Sequence, residues 1–244
     1  MRANYTLARL HVDDTLEGPL TLDADQAHYL SRVLRLKAGD RVRLFNGRDG
    51  EVAAEISGIG KKSLTLDVVE TLRAPYTPPP VTVFFAPLKR HRTSTLLEKA
   101  TELGATRLQP VITSRTQFPK LNLDKMRAQI VEAAEQTERL DLPDLAPPLP
   151  LFEAVEAYPH PILMGDEAGD ASPIHDVVEG LPPPVAVLTG PEGGWSLEER
   201  ERLRGLAHIT PVTLGPRILR ADTAAIVMLG LVQAAVGDWR SHPQ

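Results

Sequence analysis

From Val81 onward, short apolar runs alternate with amphipathic ones, and this alternation constrains the fold more than any other feature of the chain. Val81–Ala86, Arg107–Thr113, Ile162–Gly165 and Val185–Thr189 read as strands. Between them, Thr93–Leu103 reads as a helix closed by Gly104 at C′. Asn122–Arg139 reads as a long helix with Leu123, Met126, Ile130 and Ala134 on one side. A further helix is expected from Ser172, with Pro173 at its first position. Such alternation predicts an α/β domain whose parallel sheet is covered on both faces.

Two connections near the C-terminus stand out. The strand Val185–Thr189 runs into Gly190-Pro191-Glu192-Gly193-Gly194, and a second strand, Pro211–Leu214, runs into Gly215-Pro216-Arg217. Open α/β sheets place ligands where strand ends open into such turns. After the first turn, Ser196 and Glu199 have the spacing of a capping box, and Asp222 is the expected N-cap of the apolar run Ala224–Val236. GPEGG is not a Walker A loop, because no Gly-Lys-Ser/Thr follows, and the spacing of a dinucleotide fingerprint is absent. There is no GxSxG elbow and no cysteine nucleophile.

Residues 1–73 read differently, as a small β-rich unit with strands at Tyr5–Leu10, Arg41–Asn46, Glu51–Ile56 and Ser63–Val69. One helix is expected at Asp25–Leu36, with Ala27, Leu30, Val33 and Leu34 inward and His28, Arg32 and Arg35 outward. Arg32 and Arg35 suit contact with RNA phosphates. The proline-rich segment 74–80 reads as a semi-rigid linker, which makes 81–244 the second domain.

The formal net charge of −5 argues against a nucleic-acid binder only if the charge is evenly spread. It is not: Val81–Lys120 holds Lys89, Arg90, Arg92, Lys99, Arg107, Arg115 and Lys120 against Glu98 and Glu102, whereas Asp141–Val185 holds no Lys or Arg at all. One basic face on an acidic protein is the expectation. No apolar run approaches the ~18 residues of a membrane span, and no signal-peptide core is present. The lack of cysteine fits a cytoplasmic location, and the histidine spacing predicts no metal site.

GPEGG followed by a helix and then LGPRILRADTA resembles the signature of the RsmE-type methyltransferases of the SPOUT superfamily, with Asp222 standing where that family usually has Glu. The resemblance extends to HYLSRVLRLKAGD, to LKRHRTSTLLEKATELGATRLQPVITSRTQ and to EAAEQTERLDLP. It implies a PUA-like N-terminal β-barrel and a trefoil-knotted methyltransferase domain. It implies methyl transfer from S-adenosyl-L-methionine to N3 of a uridine in 16S ribosomal RNA. It also implies a homodimer formed through the last helix, Thr223–Trp239.

The implied cofactor contacts are Leu163 and Gly165 on one strand end, then Leu188, Thr189, Gly190, Pro191, Glu192, Gly193 and Gly194, and finally Leu214, Gly215, Ile218, Leu219, Thr223 and Ala224. Lys89, Arg92 and Arg115 follow the family's order and join Arg32 and Arg35 as RNA contacts. Arg220 is expected to stabilise charge on the uracil oxygens. Glu192 is the proton acceptor to test first, with Glu135 behind it. Spacing alone makes Glu135 and Arg139 an ion pair on one helix face; the resemblance moves Arg139 to the active-site rim. Trp195 suits either base stacking or the core. Two other readings compete: an RNA-binding module without catalysis, and another nucleotide-binding α/β enzyme.

Overall fold

The computed structural model describes residues 6–167 and 170–240. The chain forms two compact units, Met1–Thr77 with Ala134–Leu142, and Pro78–Ala133 with Pro143–Gln244.

The first unit is a five-stranded sheet of β1 (Arg9–His11), β2 (Pro19–Leu22), β3 (Arg41–Asn46), β4 (Gly50–Ile59) and β5 (Leu64–Arg73), in the order β1-β3-β4-β5-β2. All neighbours are antiparallel except β1 and β3. Alternation along the strands sends Leu20, Leu22, Val42, Leu44, Ile56, Leu64 and Leu66 into one core. The strand expected from Tyr5 begins partly outside the described residues and forms at Arg9. The short strand β2 carries too few residues to show in the sequence pattern.

The helix expected at Asp25–Leu36 is corrected. Helix α1 covers only Ala24–His28, capped by Asp23, which accepts from Asp25 N and Gln26 N. The next residues, Tyr29–Val33, form a wider π-helical turn. The Ser31 hydroxyl donates to Ala27 O at 2.6 Å and competes for an α-helical acceptor. The wider turn swings the inward face out of register: Leu30 stays buried, but Val33 is 58% exposed. Arg35 lies beyond the helix with φ 59°.

A buried ionic cluster ties Ala134–Leu142 to this sheet. Arg9 Nε donates to Glu51 Oε1 at 2.6 Å, and Arg73 Nε donates to Glu51 Oε2 at 2.7 Å. Arg43 grips Glu138 through two bonds of 2.7 Å. Arg9 also donates to the carbonyls of Ala134 and Arg139, and Arg73 to that of Glu138. These guanidinium groups satisfy carbonyls at and beyond a helix C-terminus.

The second unit is a parallel sheet in the order β11-β13-β10-β12-β6-β7-β8, with β9 paired to β7. Its elements are β6 (Val81–Phe85), α2 (Arg90–Glu102), β7 (Arg107–Ile112), α3 (Leu123–Gln136, whose last residues count with the first unit), β8 (Asp144–Leu145), β9 (Leu149–Pro150), α4 (Leu151–Glu156), β10 (Ile162–Gly165), β11 (Ser172–Pro173), α5 (Ile174–Val178), β12 (Val185–Thr189), α6 (Leu197–Arg204), β13 (Ile209–Thr213) and α7 (Ala221–Val236). Strands β6 and β12 are buried along their whole length, as central parallel strands must be. Leu151 and Val155 of α4 and Leu203 of α6 pack on Phe84, Ala186, Leu188 and Met164. Helix α7 lies against β6 and β12, and α2 packs on α7.

Several expected boundaries move: α2 starts earlier, at Arg90, α3 ends earlier, at Gln136, and β13 runs from Ile209 to Thr213. Ser172 and Pro173 pair with β13, so α5 starts after them and Pro173 is its N-cap. Helix α7 starts earlier than its apolar run, because Ala224 N bonds Arg220 O at 2.7 Å; Arg220 is the N-cap and Asp222 sits in the first turn. Its carboxylate still faces the positive end of the helix dipole. The helix ends at Val236, and Trp239 belongs to a separate 3-10 turn. The capping box at Ser196 and Glu199 forms as expected, and Gly104 follows Leu103, the C-cap of α2, with φ 87°.

Candidate functional site

Strands β13, β10 and β12 are neighbours in the sheet, so their C-terminal ends deliver three loops to one place. The loops begin at Gly165, Thr189 and Thr213 and enclose a cavity of about 510 Å³. That volume is in the range of small-molecule sites, roughly 300–1,000 Å³.

The GPEGG loop is fixed from several sides. Trp195 is buried beneath it, and its Nε1 donates to Gly165 O at 3.0 Å, joining the β12 loop to the β10 loop. A Cβ on Gly190 would stand 3.1 Å from Trp195 Cε2, so a larger residue there would have to push the indole back by a few tenths of an ångström. Arg115 Nη1 donates to Gly193 O at 2.7 Å, and Lys89 N donates to Glu192 Oε1 at 3.2 Å. Glu199, buried, accepts from Ser114 N at 2.7 Å and Ser196 N at 3.0 Å. Burial opposes its charge, but these donors outweigh it and hold its pKa below the usual carboxylate value. In the β13 loop, Gly215 has φ 103°, a conformation that favours glycine.

The cavity wall contains Gly165, Thr189, Gly190, Pro191, Glu192, Gly193, Gly194, Leu214, Gly215, Ile218, Leu219, Ala224, Arg92 and Arg220, all singled out from sequence. Leu163 and Leu188 are buried within their strands and are not on the wall; Thr223 is exposed and is not on it either. Lys89 and Arg115 hold the GPEGG loop rather than line the cavity. Two cations of the basic segment are occupied elsewhere, Lys99 with Glu98 and Glu102, and Arg107 with Asp144.

In the first unit, Arg32 and Arg35 are exposed. Arg139 lies past the end of α3, and its Nη2 pairs with Asp141 Oδ2 at 2.8 Å. Glu135 accepts from His11 N at 3.0 Å. The break comes at Glu138, whose φ of 62° ends the helical path.

Pro216 and Arg217, read from sequence as part of the second turn, are on the wall too, whereas sequence reasoning missed Asp166, Glu167, Val212, Thr213 and Ala221 there. The acids following β10 were the readable signal. Asp166 is buried and receives Arg204 Nε at 2.9 Å, with Arg200 Nε at 3.2 Å. Arg204 also grips exposed Asp170 and lowers its pKa to about 2. Helix α6 thereby clamps the β10 loop. The wall carries charge of both signs, Asp166, Glu167 and Glu192 as acids and Arg92, Arg217 and Arg220 as cations from α2 and the β13 loop. Among the described residues no cluster of His, Asp and Glu suits a metal, and no helix is long and apolar enough to cross a membrane.

The second unit is a parallel sheet with a glycine-lined cavity over three adjacent strand ends, the first a small β unit, and the family models give this pairing its class: an RNA methyltransferase with a PUA domain. Residues 75–233 match the RNA methyltransferase domain family and residues 22–69 match the RNA methyltransferase PUA domain. The ribosomal RNA small subunit methyltransferase E of Rickettsia conorii is 35% identical over 92% of this chain and 94% of its own. The enzyme of that name from Synechocystis is 36% identical over 91% of this chain and 75% of its own. A Legionella pneumophila methyltransferase crystallised with bound S-adenosylmethionine has a TM-score of 0.85 at 32% identity, covering 95% of this chain and 99% of that one. The chain belongs to the RsmE-type family of ribosomal RNA small subunit methyltransferases.

Proposed function

We propose that this chain transfers the methyl group of S-adenosyl-L-methionine to N3 of a uridine in 16S ribosomal RNA, with the three-loop cavity as the donor site. The observation that carries this is the cavity itself. Gly190 lies against Trp195, and a Cβ on Gly165 would stand 3.2 Å from Met228 Sδ, so at these two wall positions the chain offers backbone groups with no side chain. Such a wall suits adenine, which pairs with peptide N–H and C=O groups. The knotted threading of these loops, implied by the resemblance, is part of the same reading.

The bound donor supplies an electrophilic methyl on a sulfonium. This chain must do the rest. Uridine N3 holds its proton at neutral pH, so a carboxylate has to accept that proton; Glu192, on the wall, is the one to test first. Charge then spreads over the uracil oxygens, where the exposed Arg220 stabilises it. Nitrogen gains the methyl, and sulfur keeps the electron pair of the broken C–S bond. Lys89, Arg92 and Arg115 approach the RNA at this mouth, and Arg32 and Arg35 hold its backbone on the small domain.

Helix α7 keeps an apolar face in solvent, with Val227 37% and Leu231 36% exposed. A second copy covers that face in this reading, and sedimentation of a single-chain species at micromolar concentration contradicts it. A cytoplasmic location follows from the substrate. Mass analysis of ribosomal RNA from a strain lacking the gene tests the function: loss of one N3-methyluridine is expected, and full methylation overturns the reading.

A further inference from the structure

Two helix starts meet at the basic wall of the cavity. Arg92 lies in the first turn of α2 and lines the cavity; Asp222 lies in the first turn of α7, two residues past Arg220. Arg92 Nη1 stands 4.0 Å from Asp222 Oδ1, with the side chains only 18% and 17% exposed. That separation is too long for a hydrogen bond. Arg92 Nε and Asp222 Oδ1 are both buried, and neither has a hydrogen-bond partner. Buried donors and acceptors with no protein partner are costly and uncommon. The pair is unlike the closed surface bridge between Arg107 and Asp144, at 3.0 Å. It waits for a third group.

The surroundings indicate the chemistry of that group. The start of α2 is tied to the GPEGG loop through Lys89 N and Glu192 Oε1, and Arg220 stands on the same wall at the start of α7. Guanidinium groups therefore arrive from two separate elements. A uracil ring that loses its N3 proton carries its charge on O2 and O4, one on each side of N3. One guanidinium serves one of these oxygens; two from different directions serve both and leave N3 open to the methyl group.

We propose that Arg92 is the second catalytic cation of this site, holding one uracil oxygen while Arg220 holds the other, with Asp222 as the residue that positions it. This rests on uridine N3 being the acceptor. Asp222 acts through Arg92 and touches no reacting atom.

The test is single-turnover methylation of small-subunit RNA by Arg92→Ala, Arg92→Lys, Asp222→Asn and the Ala/Asn double variant, with S-adenosylmethionine affinity followed by calorimetry. Arg92→Ala should lower the rate at saturating RNA about 100- to 1,000-fold, the usual cost of one oxyanion donor. Donor affinity should stay within about twofold, and Arg92→Lys should recover part of the loss. Asp222→Asn should lower the rate about tenfold, and the double variant should be no slower than Arg92→Ala, since both act through one group. RNA carrying 5-fluorouridine at the target has a more acidic N3 and needs less charge stabilisation, so the Arg92→Ala deficit should shrink there. A full rate in Arg92→Ala overturns the proposal. So does an equal deficit on both RNAs, which marks a phosphate contact or a folding defect. Failure of the unaltered protein to form N3-methyluridine overturns instead the reading on which the proposal rests.

Discussion

The indole of Trp195 bonds the Gly165 carbonyl at 3.0 Å while its ring lies under Gly190, so one buried side chain sets the spacing of two cavity loops. Trp195→Phe keeps much of the apolar burial and leaves that carbonyl unpaired. It should cost about 1–3 kcal/mol in stability. It should also weaken S-adenosylmethionine binding about tenfold, because the loops lose their fixed separation. Thermal unfolding and calorimetry read the two effects. A variant with unchanged donor affinity removes Trp195 from the positioning of the loops.

In the first unit, Arg9 and Glu51 are 3% and 2% exposed, and Glu51 also meets Arg73. Glu51→Ala strands buried positive charge and should cost about 3–5 kcal/mol in urea unfolding. The surface pair Arg41–Glu55, at 3.7 Å with side chains 52% and 43% exposed, is the control: Glu55→Ala should cost about 0–1 kcal/mol. Equal losses at both sites contradict the description of the cluster.

Acid should act on the GPEGG loop through Glu199. Its folded pKa lies below 4.5, so the folded state favours the charged form. Its contribution is complete above that ordinary value and disappears as pH falls through the lowered folded one. The slope of stability against pH below 4.5 should therefore be shallower in Glu199→Gln than in the unaltered protein. Identical slopes show that the Ser114 and Ser196 donors do not favour the carboxylate.

How much of this was visible in the chain depends on the range of the interaction that decides each feature. The parallel sheet, the capping box at Ser196 and the glycine loops follow from local pattern. The end of α3 does not: Arg9, Arg43 and Arg73 hold the chain around Glu138, and they come from strands far away in sequence. Arg139 thus falls outside the helix that the sequence pattern carried through it, and it pairs with Asp141. The π turn after His28 likewise hid the exposure of Val33. Asp166 and Glu167 were passed over because their place on the wall is set by Arg200 and Arg204 of α6.

Arg32 in that same π turn and Arg35 just beyond it are exposed, and they are proposed to meet phosphates. Their joint replacement by Ala should weaken RNA binding and lower the slope of log affinity against log salt by about 1.4, at ~0.7 per contact with single-stranded RNA. Affinity measured across a salt series checks this. An unchanged slope places the RNA elsewhere.

The central claim is that the cavity at Gly165, Gly190 and Gly215 brings a sulfonium methyl donor to a uracil ring beside Arg220. Transfer of labelled methyl from S-adenosylmethionine to purified small-subunit RNA, with the modified nucleotide identified by mass, tests it most directly. The expected result is one N3-methyluridine per RNA, lost in Arg220→Ala although that variant still binds the donor. No incorporation, label on any other atom, or undiminished transfer by Arg220→Ala contradicts the account.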